Sequence, residues 1–300
     1  MLRCLLRQAS FITPDKAFQE ILSNFAVAKD FKYSIADMIK SLFFDIDGTL
    51  CSFRTHEIPQ STVRALEAAK ARGVKIFIST GRPISIINNI GAIEHLIDGY
   101  ITTNGAYCFT GDDVVCCTPI AERDVRILTD DARRQGYPCI VAGDRGLAVY
   151  GDAKDIVDRV FRGELNVSNL DLDIPADNVF AGNILQVTSF CSPEQEKELM
   201  ERVSSCVSGR WHPAFTDITA TGADKGKGLV AMAAHLGLDI SETMAFGDGG
   251  NDISIIRQAG IGVAMGNAGD DVKAIADYVT TSVDEDGVMN ALLHFGVIEY

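Results

Sequence analysis

Short apolar runs alternate with amphipathic segments along most of the chain. The first clear run, at residues 42–44, is typical of a strand that is buried on both faces of a sheet. The amphipathic segment 61–72 predicts a helix that Ser61 caps and that Gly73 ends, and the apolar residues 74–78 predict a second strand. This alternation predicts an α/β fold with a parallel, doubly wound sheet.

Another helix and a third strand continue this pattern. Pro83 is well placed to begin the helix, and residues 98–105 predict the strand and a polar turn at its end. After residue 216 the alternation resumes with a glycine-rich turn at 222–228 that leads into a helix. Further short strands are predicted at 243–247, 261–264 and 278–280. Both halves of the chain should therefore contribute to one sheet.

Between residues 109 and 215 the pattern is different. Residues 139–142 and 147–150 flank the turn sequence GDRG and predict a β-hairpin, and a further strand is predicted at 184–190. A helical pattern precedes the hairpin, and another begins at Pro193. We therefore expect a separate α+β module with its own antiparallel sheet, inserted into the α/β core and placed to act as a lid.

These patterns predict where the domains begin and end. The α/β core would comprise residues 38–108 and 216–300, and the inserted α+β module would comprise residues 109–215. Residues 1–37 fit neither pattern. We expect them to be an N-terminal extension that is loosely ordered or that precedes the natural start at Met38.

Composition and charge narrow the possible partners and the compartment. The 300 residues carry a formal net charge of -14 at pH 7, which argues against a nucleic-acid partner because phosphate backbones require a concentrated basic face. The eight cysteines lack the paired spacing of zinc sites and follow no convincing secretory signal, so we expect reduced thiols in a cytoplasmic protein. No apolar run reaches the roughly 18 to 20 residues that a membrane span requires.

Two carboxylates directly follow the first predicted strand. Asp45 and Asp47 lie two residues apart, and Gly48 lets the chain turn after them. In an open parallel sheet, ligands bind beyond the carboxyl ends of the strands, so both carboxylates would meet a substrate there. The second strand ends in STGR at 79–82, which can supply donors to a phosphate, and an acidic, glycine-rich loop at 247–252 follows a later strand.

Several of these segments together resemble the haloacid dehalogenase superfamily. Over roughly residues 38–300, the chain contains, in the order of that superfamily, FFDIDGTL, STGR, TTNGA, Lys225 and FGDGGND. The long insertion after the third core strand is similar to that of the Cof-type branch, subfamily IIB, which has a large α/β cap and includes sugar-phosphate phosphatases. The resemblance implies a Rossmann-like core, an inserted α+β cap and phosphoryl-transfer chemistry.

Phosphoryl transfer requires a nucleophile, a proton donor and acceptor, a cation, and donors to the phosphate oxygens. Asp45 is the candidate nucleophile, since it is the first carboxylate after the strand and matches the first motif of the family. Asp47 is the candidate general acid and base. The carboxylates of Asp45 and Asp248 and the main-chain carbonyl of Asp47 are hard oxygen ligands suited to Mg²⁺.

Other candidates would bind the phosphoryl group. Thr80 and the Gly81 amide should hold its oxygens, and Lys225 should supply the counter-charge. Lys227 lies close to Lys225 in the sequence, and the position of the family motif favours Lys225. Asn251 could donate to the phosphate or orient the neighbouring carboxylate.

The remaining candidates would support the site or select the substrate. We expect Asp252 to lie outside the ring of metal ligands, where it would contact either a metal-bound water or the side chain of Lys225. Arg82 could bind substrate or pair with a surface acid. No motif identifies the selective residues of the cap, where Arg145, Asn183 and Gln186 are the candidates.

We therefore expect a Mg²⁺-dependent phosphatase that hydrolyses a small phosphate monoester through an aspartyl phosphate, with a hexose or pentose phosphate as the favoured substrate. Two alternatives stay open, a phosphomutase of the same fold and a non-catalytic sensor of phosphate esters. The expected partner is a small phosphorylated metabolite, with neither nucleic acid nor membrane bound. The protein is expected to be a monomer or a homodimer.

Overall fold

The structure is a computed structural model that describes residues 38–299, and the predictions for residues 1–37 lie outside the described residues. In chain order, the first elements are β1 Ser41–Phe44, α1 Gln60–Ala71, β2 Lys75–Ser79, β3 Gly99–Thr102, β4 Tyr107–Thr110, β5 Asp113–Cys117, α2 Glu122–Gln135, β6 Cys139–Gly143, β7 Gly146–Tyr150 and α3 Lys154–Asp158. The elements that follow are α4 Ala176–Phe180, β8 Ile184–Ser189, α5 Pro193–Met200, β9 Cys206–His212, β10 Phe215–Ala220, α6 Lys225–His235, β11 Thr243–Gly247, α7 Ile253–Gln258, β12 Ile261–Ala264, α8 Asp270–Lys273, β13 Tyr278–Val279 and α9 Gly287–His294. Every helix described is too short or too polar to cross a membrane.

The strands form two sheets. An eight-stranded sheet has the order β13-β12-β11-β1-β2-β3-β4-β5, and a five-stranded sheet has the order β7-β6-β8-β10-β9. In the first sheet, β1 pairs in parallel with β11, β11 with β12 and β12 with β13, whereas β4 pairs antiparallel with β3 and β5. The five-stranded sheet is antiparallel throughout. The predicted α/β fold, with its second antiparallel sheet, is confirmed.

Contacts divide the described residues into two compact units. The first contains residues 38–77, 95–97 and 233–299, and the second contains residues 78–94 and 98–232. The domain boundaries after residues 108 and 215 were inferred from the change of sequence pattern, and they stay predictions.

The first unit is built around β1. All four residues of β1 and all five residues of its neighbour β11 are buried. Phe43 stacks on Phe77 with ring centroids 4.9 Å apart, and Phe44 stacks on Phe246 at 4.6 Å. Because a parallel strand with both faces covered requires apolar residues throughout, the continuous run at 42–44 marks the centre of the sheet.

Helix α1 differs from its sequence prediction at the N-terminus. The helix begins at Gln60 and its N-cap residue is Pro59, so Ser61 lies in the first turn and does not cap it. Pro59 has φ -56° and ψ 141°. This extended conformation suits the residue before a helix even though proline offers no side-chain acceptor. Gly73 follows the helix with φ +81°, as the predicted stop requires.

The prediction of a helix that begins at Pro83 is wrong. A single 3₁₀ turn, Ile84–Ile86, follows this proline. The segment 84–91 contains β-branched isoleucines, two asparagines and a glycine, all of which are poor helix formers. Their conformational preferences outweigh the start signal that the proline provides.

The second unit contains the antiparallel sheet and separate apolar clusters. Ile140 and Val141 are adjacent residues of β6 and belong to different clusters, as the two-residue period of a strand requires. Val141 shares its cluster with Leu128 of α2. The predicted hairpin is confirmed, since Gly143 of β6 pairs with Gly146 of β7.

Asp131 of α2 is a buried carboxylate at the centre of a hydrogen-bond network. It is 1% exposed and accepts hydrogen bonds from Tyr137 Oη at 2.8 Å, from Gln135 Nε2 at 3.0 Å, and from Arg134 and Arg202. Burial alone would raise the pKa of Asp131, but these donors outweigh burial and hold the pKa below its ordinary value. The ionised carboxylate therefore stabilises the fold above about pH 4, and this stabilisation is lost as the pH falls through the folded-state pKa.

Asp131→Asn should lower the free energy of unfolding by about 2–4 kcal/mol at pH 7, because it removes the charged acceptor that holds the buried Tyr137 hydroxyl and the arginines Arg134 and Arg202. Asp130→Asn is the matched control. It changes an exposed carboxylate 3.7 Å from Arg133 and should alter the free energy by less than about 0.5 kcal/mol. Urea unfolding between pH 7 and about pH 3 measures both, and the deficit of Asp131→Asn should shrink below about pH 4, as the carboxylate becomes protonated. Equal effects of the two substitutions would contradict this account.

Candidate active site

Three carboxylates of the first unit converge after the ends of two paired strands. Asp45 directly follows β1, and Asp248 directly follows β11, which pairs with β1 in parallel. Asp252 belongs to the loop after β11. One carboxylate oxygen from each of these residues lies within 4.8 Å of the other two. Asp45 and Asp252 are 7% and 1% exposed, so the group is largely withdrawn from water.

Hydrogen bonds fix two of these carboxylates. Asp252 Oδ2 accepts from the main-chain N–H groups of Asp248 at 3.1 Å and Gly249 at 2.9 Å, so it closes the loop on itself. Asp248 Oδ1 accepts from Thr49 Oγ1 at 3.0 Å, and its Oδ2 accepts from Asn267 Nδ2 at 3.3 Å. The position of the Asp248 carboxylate is therefore set by donors from two other loops.

Gly48 allows the loop after β1 to approach Asp248. Its φ is +87°, in the left-handed region, and a Cβ atom at this position would lie 2.2 Å from Asp248 Oδ2 and 2.6 Å from Phe53 Cε2. Its N–H donates to the Cys51 carbonyl at 2.9 Å, and its own carbonyl accepts from Asn267 Nδ2 at 2.9 Å. Both the backbone conformation and the space therefore require glycine.

The group of three carboxylates fits a hard divalent cation. Negative charges this close repel one another unless a positive charge lies between them. Carboxylate oxygens are the ligands that Mg²⁺ prefers in proteins. The predicted metal ligands Asp45 and Asp248 belong to this group. Asp47 is half-buried, and its carboxylate is outside the group. The predicted ligand atom of Asp47 is its main-chain carbonyl oxygen, and this role stays a prediction.

The predicted phosphate-binding residues Thr80 and Gly81 lie in the second unit with Asn104. Thr80 is 1% exposed; its N–H donates to the Ile101 carbonyl at 2.8 Å, and its carbonyl accepts from the Asn104 N–H at 3.1 Å. Thr80 Oγ1 accepts from the Arg82 N–H at 3.1 Å. A Cβ atom on Gly81 would lie 3.1 Å from Asn104 Oδ1, so the two loops are in close contact.

The turn at Asn104 also contacts the start of α6. Thr103, Asn104 and Gly105 have φ of 50°, 52° and 89°. A Cβ atom on Gly105 would lie 2.2 Å from the Asp224 carbonyl oxygen and 3.0 Å from the Lys225 nitrogen. Consecutive left-handed residues are strained, and such turns are found at functional sites. The turn therefore positions the first residue of α6.

The two neighbouring lysines of α6 have different surroundings. Lys225 is 1% exposed. Lys227 has a side chain that is 62% exposed, pairs with Asp224 at 3.3 Å and donates to the Gly222 carbonyl at 3.1 Å. The functional role of Lys225 stays a prediction, and its burial supports the choice of Lys225 over Lys227.

Arg82 and Asn251 are the remaining residues predicted to bind phosphate or substrate. Arg82 is half-buried, and its Nη1 lies 3.4 Å from both the Ile86 carbonyl oxygen and Asn88 Oδ1. Asn251 is exposed in the loop after β11, where its Oδ1 would lie 2.8 Å from a Cβ atom on Gly249. Their roles in binding phosphate or substrate stay predictions.

Sequence reasoning missed Asn104 and Asn267 as site residues. Asn104 precedes Gly105 at the end of β3, and asparagine is the residue other than glycine that most readily adopts left-handed φ. Asn267 follows β12, which pairs in parallel with β11. The rule that ligands bind beyond the carboxyl ends of parallel strands could have identified it.

Comparison with known proteins identifies the family of the chain. The family described as haloacid dehalogenase-like hydrolase matches residues 42–292. The Bacillus subtilis (strain 168) 5-amino-6-(5-phospho-D-ribitylamino)uracil phosphatase YcsE is 30% identical over 264 residues, which cover 86% of this chain and 96% of the relative.

Two solved structures are also similar. The HAD subclass IIB sugar phosphatase BT4131 is 48% identical, with a TM-score of 0.79, and the match covers 86% of this chain and 100% of that one. BT1666 from Bacteroides thetaiotaomicron, described among phosphatases of the haloalkanoate enzyme superfamily, is 37% identical, with a TM-score of 0.76. That match covers 87% of this chain and 96% of BT1666.

Proposed function

The chain belongs to the haloacid dehalogenase-like hydrolase family and is a phosphatase of that family, and from this premise we propose that it hydrolyses a hexose or pentose phosphate in a Mg²⁺-dependent reaction. The observation that carries the proposal is the group formed by Asp45, Asp248 and Asp252, whose carboxylate oxygens lie within 4.8 Å of one another. Such a group would hold a divalent cation, whose positive charge would also attract a phosphate ester.

Asp45 acts as the nucleophile in this proposal. One of its carboxylate oxygens attacks the phosphorus, the bond from phosphorus to the alkoxide oxygen breaks, and an aspartyl phosphate forms. Asp47 gives its proton to the departing alkoxide. Asp47 then takes a proton from a water molecule that attacks the aspartyl phosphate, which releases inorganic phosphate and regenerates Asp45.

Asp45, Asp248 and the main-chain carbonyl of Asp47 would hold the Mg²⁺ ion. When bound, the ion supplies positive charge that offsets the carboxylates and the phosphate oxygens. Asp252 positions Asp248 by accepting from the N–H groups of residues 248 and 249. Removal of this acceptor would free the loop that carries a metal ligand.

Three predicted groups would bind the phosphoryl oxygens. The Thr80 hydroxyl and the Gly81 N–H would donate hydrogen bonds to them, and the Lys225 ammonium would balance their charge. Lys225 is 1% exposed, so little water competes for its ammonium and its attraction to a phosphate is strengthened.

The sugar is the part of the proposal that rests most on similarity. BT4131, a sugar phosphatase, is 48% identical over 86% of this chain, which favours a sugar phosphate over other small esters. A phosphomutase would use the same aspartyl phosphate but return the phosphoryl group to a sugar. A sensor would bind the ester without turnover.

The test is release of inorganic phosphate from a panel of hexose phosphates, pentose phosphates, nucleotides and acetyl phosphate, with Mg²⁺ and with a chelator. We expect release concentrated on the sugar phosphates, with a loss of about 100-fold or more in chelator that excess Mg²⁺ restores. Chelator-insensitive release would contradict the metal site. Sugar isomerisation that depends on a bisphosphate would identify a mutase, and binding without release would identify a sensor.

A further inference from the structure

Four buried polar side chains lie together in the five-stranded sheet. Thr188 of β8 pairs with Asp217 of β10, and Gln186 pairs with Thr219 in the same ladder. These four residues, the polar strip, are between 3% and 7% exposed. Their burial is unusual, because uncharged polar and acidic side chains are mostly exposed unless they have a specific partner.

Asp217 is the centre of a hydrogen-bond network in this strip. Its Oδ1 accepts from Thr188 Oγ1 at 2.6 Å and from Gln186 Nε2 at 3.0 Å, and its Oδ2 accepts from Trp211 Nε1 at 2.8 Å. Burial raises the pKa of Asp217, and the hydrogen bonds from Thr188 and Trp211 oppose this effect. A buried carboxylate is a costly way to stabilise a sheet, since apolar residues of similar size would serve as well or better.

The network leaves one acceptor without a partner. Gln186 is 3% exposed, and its Oε1 has no hydrogen-bond partner among residues 38–299. The Asp217 carboxylate requires a donor, so the amide nitrogen of Gln186 must face it and the oxygen must face away. Buried acceptors are nearly always paired, so Gln186 Oε1 is positioned for a donor that a ligand would bring.

Trp211, the single tryptophan of the chain, lies on the edge strand β9 beside this strip. Its indole N–H is held by Asp217, and its ring meets Phe215 edge-on with centroids 5.0 Å apart. The side chain is nevertheless 59% exposed. A tryptophan that is fixed in place but exposed offers an apolar face against which a ligand can pack.

The strip begins beside the segments of the same unit that carry Asn104 and the predicted phosphate-binding residue Lys225. Leu185, which precedes Gln186 in β8, belongs to a small buried cluster with Ala106 and Ala223. Ala106 follows Gly105 of the turn, and Ala223 lies two residues before Lys225. The start of β8 is therefore packed against the segments that carry Asn104 and Lys225.

We propose that Gln186, Asp217 and Trp211 form the subsite for the hydroxyl-bearing sugar of the substrate. Gln186 Oε1 accepts a hydrogen bond from a sugar hydroxyl, Asp217 fixes the Gln186 amide and the indole, and Trp211 packs against the C–H face of the sugar. The inference rests on the proposed function, since it assigns a substrate class to that same site. It makes Gln186 and Trp211 specificity residues and Asp217 a positioning residue.

Gln186→Ala tests the hydroxyl contact. Its kcat/KM should fall about tenfold or more on glucose 6-phosphate or ribose 5-phosphate, whichever the wild type hydrolyses faster, and should stay within about twofold on acetyl phosphate, whose leaving group has no hydroxyl. The exposed residue Gln258 provides the control Gln258→Ala, expected to match wild type on both substrates. Equal losses on the sugar phosphate and on acetyl phosphate would overturn the subsite.

Trp211→Phe is a second variant that keeps a ring but removes the donor to Asp217. Trp211 is 59% exposed, so the fold should persist although Asp217 Oδ2 loses this donor, and circular dichroism checks that it does. We expect KM for the sugar phosphate to rise severalfold with little change for acetyl phosphate. Unchanged kinetics on both substrates, in this variant and in Gln186→Ala, would overturn the proposal.

Tryptophan fluorescence separates this inference from the proposed function. Titration of Asp45→Asn protein with the same sugar phosphate should change the emission of Trp211, whereas inorganic phosphate should not. An emission change without phosphate release in the wild type would support the subsite and contradict the phosphatase. Phosphate release from acetyl phosphate without any sugar-dependent emission change would support the phosphatase and overturn the subsite.

Discussion

Asp45→Asn should lower kcat for phosphate release by about 10⁴-fold or more, because an amide cannot form the aspartyl phosphate. Asparagine nearly preserves the shape of the side chain, so the fold and thermal midpoint should change little. The measurement is inorganic phosphate release at saturating Mg²⁺, with circular dichroism to check the fold.

Asp112→Asn is the matched control for this prediction. Asp112 is an exposed carboxylate between β4 and β5, and its substitution should leave kcat within about twofold of wild type. A residual kcat above about a tenth of the wild-type value in Asp45→Asn would contradict the nucleophile assignment. Equal losses in the two variants would point instead to a general effect of removed charge.

Gly48→Ala should have the second-largest effect, on metal binding and turnover together. A Cβ atom at Gly48 would lie 2.2 Å from Asp248 Oδ2, so the Asp248 carboxylate or the loop after β1 must shift, and the close group that Asp248 forms with Asp45 and Asp252 would be disturbed. We expect the Mg²⁺ concentration for half-maximal activity to rise tenfold or more, and kcat to fall on the order of 100-fold. Activity as a function of Mg²⁺ concentration, together with calorimetric titration of the metal, measures both effects.

Gly73→Ala separates backbone strain from this steric effect. Gly73 also has a left-handed φ, of +81°, but a Cβ atom there has no neighbour within 4 Å. This control should cost about 1 kcal/mol of stability and leave Mg²⁺ affinity and kcat unchanged. If Gly48→Ala behaved like Gly73→Ala, the close contact with Asp248 would have no role in the metal site.

The strand-based part of the fold could be predicted because it depends on local pattern. Continuous apolar runs identified β1 and β11, and the rule for parallel sheets placed Asp45 and Asp248 after them. The hairpin of β6 and β7 followed from two apolar runs around a glycine-containing turn. These features require no knowledge of which strands are neighbours.

The errors arose where tertiary contacts or competing local preferences decide. Ser61 is a good capping residue in isolation, but the helix begins one residue earlier, after Pro59. Asn267 becomes a site residue only because β12 is paired with β11, and sequence alone does not specify that order. The contact of Gln186 with Asp217 likewise joins residues 31 positions apart on neighbouring antiparallel strands.

Chemical identification of the phosphorylated residue tests directly whether Asp45 is the nucleophile. Asp47→Asn should slow hydrolysis of the intermediate, so acid quenching during turnover of acetyl phosphate or of the best sugar phosphate should trap it. We expect one phosphoryl group, removed by hydroxylamine, on the peptide that contains Asp45. Phosphate release by the wild type with no trapped phosphoryl group, or with the group on another peptide, would contradict it.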